Sequence, residues 1–228
     1  MIMNDFNWHV EAQKLWDDNA DFWNQNSQEM WDTGSRSSII PFMKQYIEEG
    51  ASILDIGCGD GYGTYKLSLA GYKACGMDIS EEMVQIAKQR GENETLSFIQ
   101  ADLVSLPFAD EAFDGVLAVN SLEWIKQPSR GLEEIKRVLN PNGSACVAIL
   151  GPTAKPRESS YRRLYGEDVV CNTMMPWEFE QLAKENGFTI TDGIGVYKRG
   201  VTDEHIEHLS TELKQALAFL WVFVIHKS

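Results

Sequence analysis

The chain has 228 residues, 43% hydrophobic and 24% charged, a balance that excludes a disordered tail, a collagen-like repeat and a disulfide-stapled mini-protein. Lys and Arg total 20 against 34 Asp and Glu, and the formal charge of −14 repels polyanions, so a small molecule is expected as partner and nucleic acid is not. Cys58, Cys75, Cys146 and Cys171 form no C-x-x-C pair, which points to free thiols rather than a zinc site or a disulfide framework.

Asp5 and Glu11 interrupt the stretch where a signal peptide would need an apolar run. The longest apolar run, residues 216–225, is shorter than the roughly 18 residues a membrane helix requires, so the expectation is a cytoplasmic protein with no membrane partner. Trp8, Ala12, Leu15, Trp16, Phe22 and Trp23 recur at helical spacing and predict an amphipathic helix over residues 7–24. Because Trp8, Trp16 and Trp23 share one face, it is expected to act as a lid. A second helix is expected after Ser37 or Ser38, with Pro41 in its first turn and Gly50 closing it.

From residue 51 the pattern changes. The runs ASILDI, KACGMDI, LSFIQA, FDGVLAVN and SACVAIL are short and β-rich, and helical stretches separate the first of them: one ends at Ala70 and Gly71, another starts through Ser80. This predicts an α/β, doubly wound, mainly parallel sheet. Residues 151–175 lack a sustained period and read as an insertion. A helix from Pro176 to Gly187, a strand near residues 189–198, a helix from Asp203 and a strand near residues 221–225 should complete the sheet as a hairpin-like pair. The expected organisation is one domain: a helical cap (1–50), a ligand-binding core (51–150), the insertion (151–175) and the sheet completion (176–228).

LDIGCGDGYG, residues 54–63, carries the strongest chemical signal. A buried strand ends at Ile56, and Gly57 and Gly59 permit a left-handed bend that lets a ligand lie against the start of the next helix. The dinucleotide fingerprint fails, since its third small residue would be Tyr62 or Thr64. Asp55 and Asp60 also disfavour a pyrophosphate and favour an uncharged or cationic ligand. Asp78 ends the second strand, 21 residues past Gly57, where an ionised carboxylate suits both hydroxyls of a ribose. Ser80 is the better helix cap.

LDIGCGDG, GMDIS, QADLVSLPFADEAFDGVLAVNSLEWI and VLNPNGSACVAI occur in the order found in a known family. Over about residues 35–200 the sequence resembles the class I S-adenosylmethionine-dependent methyltransferases, small-molecule type, the methyltransferase type 11 group. The resemblance implies a seven-stranded Rossmann-like sheet with a reversed last strand, S-adenosyl-L-methionine as cofactor and a small-molecule methyl acceptor. It implies that Gly57, Cys58 and Gly59 line the methionine part, with Asp55 nearby, and that Asp78 holds the ribose. Ile79 and Met83 would flank the adenine, Asp102 would accept from its amine and Leu103 would offer a backbone contact. Asn120 would face the methionine ammonium and Arg36 its carboxylate, although Arg36 is equally suited to pairing with Glu48 or Glu49. Glu123, Trp124, Tyr161 and Tyr165 are the candidates for the acceptor cavity. No catalytic base is assigned. His205 and His208 read as a solvated helix face rather than a metal site, and His9 and His226 offer no constellation. The rival readings are an NAD-linked oxidoreductase and a non-catalytic cofactor-binding protein.

Overall fold

The structure is a computed structural model that describes residues 6–227. Residues 1–5 of the expected cap and residue 228 lie outside the described residues.

Helix α1 (Trp8–Asp32) starts at Asn7, whose side chain accepts from the Val10 N–H. It runs eight residues beyond the expected end at residue 24, through the polar stretch Asn24–Gln25–Asn26. Tertiary partners explain the extension: buried Ser27 donates to Asp60 at 2.5 Å, and Trp31 packs where a Cβ on Gly63 would stand. Helix α2 (Ile39–Met43) is shorter than expected, and turns carry the chain from it to Gly50.

The sheet strands are β1 (Ser52–Ile56), β2 (Lys73–Asp78), β3 (Leu96–Gln100), β4 (Phe113–Val119), β5 (Leu139–Leu150), β6 (Phe188–Val196) and β7 (Leu220–Lys227). Helices α3 (Tyr62–Leu69), α4 (Glu81–Lys88), α5 (Pro128–Val138) and α6 (Pro176–Glu185) connect them, and α7 (Asp203–Ile206) and α8 (Thr211–Leu217) precede β7. The spatial order is β3-β2-β1-β4-β5-β7-β6. Strands β1 to β5 pair in parallel, whereas β7 runs antiparallel to both β5 and β6. The expected sheet with a reversed last strand is present.

Alternation along β7 splits its apolar residues between the two faces. Leu220, Val222 and Val224 join the core that contains Trp31, Leu67 and Phe98, and Trp221, Phe223 and Ile225 join the core that contains Leu54, Leu132 and Phe179. Sequential βα units leave β1 flanked by β2 on one side and β4 on the other, so the connections diverge there and open a crevice at the strands' carboxyl ends.

The 151–175 segment, expected as an insertion without a sustained period, contains regular structure. A 3-10 helix spans Lys155–Tyr165. Arg157 anchors it by donating to the carbonyls of Gly151, Thr173 and Met174 at 2.7–3.0 Å and to that of Leu150. Asn172 ties the far end to the carbonyls of Leu122 and Ile125.

Candidate functional site

A cleft of about 980 Å³, its mouth included, lies over the carboxyl ends of β1 to β5. Its floor is the β1–α3 bend. The N–H groups of Gly57 and Cys58 both donate to the Met77 carbonyl at 2.8 and 2.9 Å, which stitches the bend to β2. Gly57 and Gly59 have φ of +70° and +56°, a conformation that side chains disfavour. A Cβ on Gly57 would stand 2.7 Å from Ser121, whereas one on Gly59 would meet nothing nearer than the Met83 sulfur at 3.9 Å. Gly59 therefore leaves open space at the cleft, and Gly61 and Gly63 serve packing against Phe98 and Trp31.

Asp78 is 7% exposed. Its Oδ2 accepts from the Gly59 N–H at 2.9 Å and its Oδ1 from the Ser80 N–H at 3.0 Å. Burial pushes this carboxyl up from its ordinary value, and the N–H groups of Ser80, Gly59 and Ile79 pull it partly back. Each oxygen keeps a lone pair for a further donor. Ser80 caps α4 by accepting from the Met83 N–H at 3.1 Å, as its position in the sequence suggests.

Ten of the eleven residues expected to hold a ligand line this cleft: Arg36, Gly57, Cys58, Gly59, Asp78, Ile79, Met83, Asp102, Leu103 and Asn120. Asp55 does not. Its Oδ2 takes the Thr64 hydroxyl at 2.7 Å beneath the bend, and burial pushes its carboxyl up to about 7. Arg36 lies against indoles rather than Glu48 or Glu49, with its guanidinium 5.1 Å from the Trp23 ring and 5.7 Å from that of Trp31. Burial lowers its pKa, and Asp60 and Asp55 oppose that shift. Burial also drives the Cys58 thiol well above its ordinary value, which leaves it unreactive. Asn120 has φ of +54°, and its Oδ1 has no hydrogen-bond partner.

Helix α1 roofs the cleft with Trp8, His9, Ala12, Trp16 and Trp23. Trp8 Nε1 donates to the Trp124 carbonyl at 2.6 Å, and the Ser80 hydroxyl donates to Asp17 at 2.5 Å. His9 Nδ1 lies 2.7 Å from Asp102 Oδ2, so His9 does have a constellation, formed by two segments far apart in the chain. Asp60 also borders the cleft and is compensated by Arg90. With Asp55 held near neutrality and Asp60 paired, the electrostatic case against a pyrophosphate is weaker than the sequence suggests. The steric failure of the fingerprint at Tyr62 stands.

Of the acceptor candidates, Trp124 lines the cleft. Tyr161 and Tyr165 do not; they stack on one another and on Arg162 at 49% and 70% exposure. Glu123 is fully buried behind the wall, where its Oε1 accepts from the Leu150 N–H at 2.6 Å, Oε2 has no partner, and burial raises its pKa to about 7. Sequence reasoning did not find Ser121, Ile125, Leu150 and Pro156, which complete the wall beside β4 and β5. The strand ends at Asn120 and Leu150 were the available signal. His205 serves as a turn acceptor for Thr202, and no group of three or more metal-ligating side chains occurs among the described residues. Among those residues, no helix is long and apolar enough to cross a membrane.

Residues 54–147 match the family described as a methyltransferase domain. A demethylmenaquinone methyltransferase of Chlamydia felis (strain Fe/C-56) is 30% identical over 167 residues, which cover 71% of this chain and 69% of that protein. The chain spans only 47%, 25% and 36% of the first curated relatives it matches. A chain from the complex of the Haloferax volcanii Trm112 methyltransferase activator with a methyltransferase superposes with a TM-score of 0.68 at 21% identity, covering 92% of this chain and 96% of that one. An S-adenosylmethionine dependent methyltransferase from Mesorhizobium loti gives 0.67 at 18% identity, covering 86% and 99%. The glycine bend, the acidic strand ends and these relationships lead to one conclusion: the chain belongs to the class I S-adenosylmethionine-dependent methyltransferases.

Proposed function

We propose that the protein transfers the methyl group of S-adenosylmethionine to a small-molecule acceptor. The observation that carries this reading is the convergence, in one cleft at the β1–β4 switch point, of two strand-end carboxylates, a free guanidinium and an open glycine bend. The donor set suits the cofactor. Asp78 retains lone pairs for a ribose diol, and the Arg36 guanidinium has no hydrogen-bond partner among the described residues and so is free for a carboxylate. The unpartnered Asn120 Oδ1 suits an ammonium, and the space left by Gly59 forms the cradle.

When bound, the cofactor supplies an electrophilic methyl group on a positively charged sulfur. Gly57, Cys58 and Gly59 would border its methionine part, Ile79 and Met83 would flank its adenine, and Asp102 and the Leu103 backbone would meet the adenine edge. The chain then contributes binding, alignment and exclusion of water beneath the indoles of α1. Asp55 and Glu123 stay behind the cleft walls, so neither is placed to take a proton from an acceptor.

Calorimetric titration tests the cofactor. S-adenosylmethionine should bind and NAD should not, and preference for NAD overturns the reading. Release of S-adenosylhomocysteine in a screen of amines, thiols, phenols and carboxylates tests transfer. Binding with no release across the panel would instead favour the non-catalytic protein.

A further inference from the structure

The cleft has two chemically distinct ends. The side over β1, β2 and β3 carries its ionisable groups, including Asp60, Asp78 and Asp102. The side over β4 and β5 is formed by Ser121, Trp124, Ile125, Leu150 and Pro156, none of which ionises in the physiological range. Above that side lie Trp8 and Trp16 of α1. Trp16 and Trp124 meet edge to face, with centroids 5.0 Å apart and planes at 81°, and Trp8 is tied to the Trp124 backbone. Trp23, next along at 6.2 Å from Trp16, has its face occupied by Arg36. On this wall the Trp124 Nε1–H and the Ser121 hydroxyl are buried without partners, an arrangement that is costly unless a ligand supplies an acceptor.

We infer that Trp8, Trp16 and Trp124 form the acceptor chamber and select a flat, uncharged aromatic molecule bearing a hydroxyl. This rests on the proposed cofactor reading, which assigns the other end of the cleft to the methyl donor. A cationic acceptor meets the donor's sulfur charge on a wall with no carboxylate, and an anionic one must leave water for a wall of indoles, aliphatic side chains and neutral donors with no cation on it. A flat ring gains from stacking against indole, and its oxygen accepts from the orphaned N–H. In the transfer an oxygen–carbon bond forms, the carbon–sulfur bond breaks with its electron pair retained by sulfur, and the hydroxyl proton passes out through the cleft mouth to bulk solvent.

The test is calorimetry on the chain saturated with S-adenosylhomocysteine, using three probes of one size: 2-naphthol, 2-naphthoate and 2-naphthylmethylammonium. Naphthol should bind, with each charged probe at least about tenfold weaker. Trp16→Ala and Trp124→Phe should each weaken naphthol about three- to tenfold, and Trp16→Phe should restore much of the loss. No naphthol binding, a charged probe binding as tightly, or naphthol affinity unchanged in both Trp16→Ala and Trp124→Phe overturns the proposal. S-adenosylhomocysteine affinity is measured first in every variant, so an unfolded variant is recognised, and Trp16→Phe then decides. Failure of the parent chain to bind S-adenosylhomocysteine overturns the cofactor reading, and this inference with it.

Discussion

Asp78→Ala is expected to weaken S-adenosylhomocysteine binding by about 1–3 kcal/mol, roughly five- to 150-fold, because a charge-assisted acceptor for the ribose is removed. The same carboxylate receives the N–H groups of Gly59 and Ser80, so the substitution also strips partners from two backbone donors. Leaving buried donors unpaired costs about 1–3 kcal/mol each, and relief of the burial that raises the Asp78 pKa offsets part of this. The net loss of fold stability should be about 1–2 kcal/mol. Ser80→Ala separates the two effects. It removes the cap that accepts from Met83, costing about 1 kcal/mol of stability, and the bond to Asp17 of the α1 roof, but leaves the Asp78 carboxylate in place, so affinity should fall less than in Asp78→Ala. Calorimetry for affinity and urea unfolding for stability make the comparison. A folded Asp78→Ala protein that binds as tightly as the parent would refute the assignment of this carboxylate to the sugar.

Three further outcomes are expected. Glu123→Gln should flatten the pH dependence of stability: the buried carboxyl titrates at about 7 in the fold and near 4 unfolded, so its contribution declines as pH rises across that window and levels off above it. Carboxyls held low, such as Asp114 and Glu134, act in the opposite sense below this window; a parent-to-variant difference constant from about pH 5 to 8 in urea titrations counts against the assignment. Gly61→Ala should lower stability by about 1–3 kcal/mol, since its Cβ would stand 2.7 Å from both Ala87 and Phe98, whereas Gly59→Ala should cost about 1–2 kcal/mol of strain and weaken cofactor binding more than Gly61→Ala does. Thermal melts and calorimetry on both variants check this ordering. Hydrogen exchange in residues 8–24 should slow when S-adenosylmethionine binds if α1 acts as a lid, and His9→Ala should speed it in the free chain; unchanged exchange in both experiments would speak against that role.

The sheet was legible because continuous apolar strands and their glycine and serine boundaries are local signals. Asp78, Ser80 and the Gly57–Gly59 bend all belong to that class. The second half of α1 was hidden, since Ser27 and Trp31 become buried only through Asp60 and Gly63, partners about 30 residues away. The Arg90–Asp60 pair spans a similar distance and the His9–Asp102 contact a longer one, and neither leaves a periodic trace. Asp55 misled for a different reason. Its place beside the glycines suggested the cleft, but its side chain points to Thr64 below. The 151–175 segment lacked a helical period because its order comes from Arg157 gathering carbonyls from both of its ends.

Strand β7 sits between two strands made before it, and this imposes a schedule on synthesis. Until β7 emerges, β5 has an unpaired edge and β6 has no neighbour in the sheet. A nascent chain therefore carries exposed ladder groups on two strands while the β1–β5 half can already pair, which makes this interval the time of greatest exposure to misassociation. Insertion of β7 closes both edges in one event, and β6 can gain its place in the sheet only then.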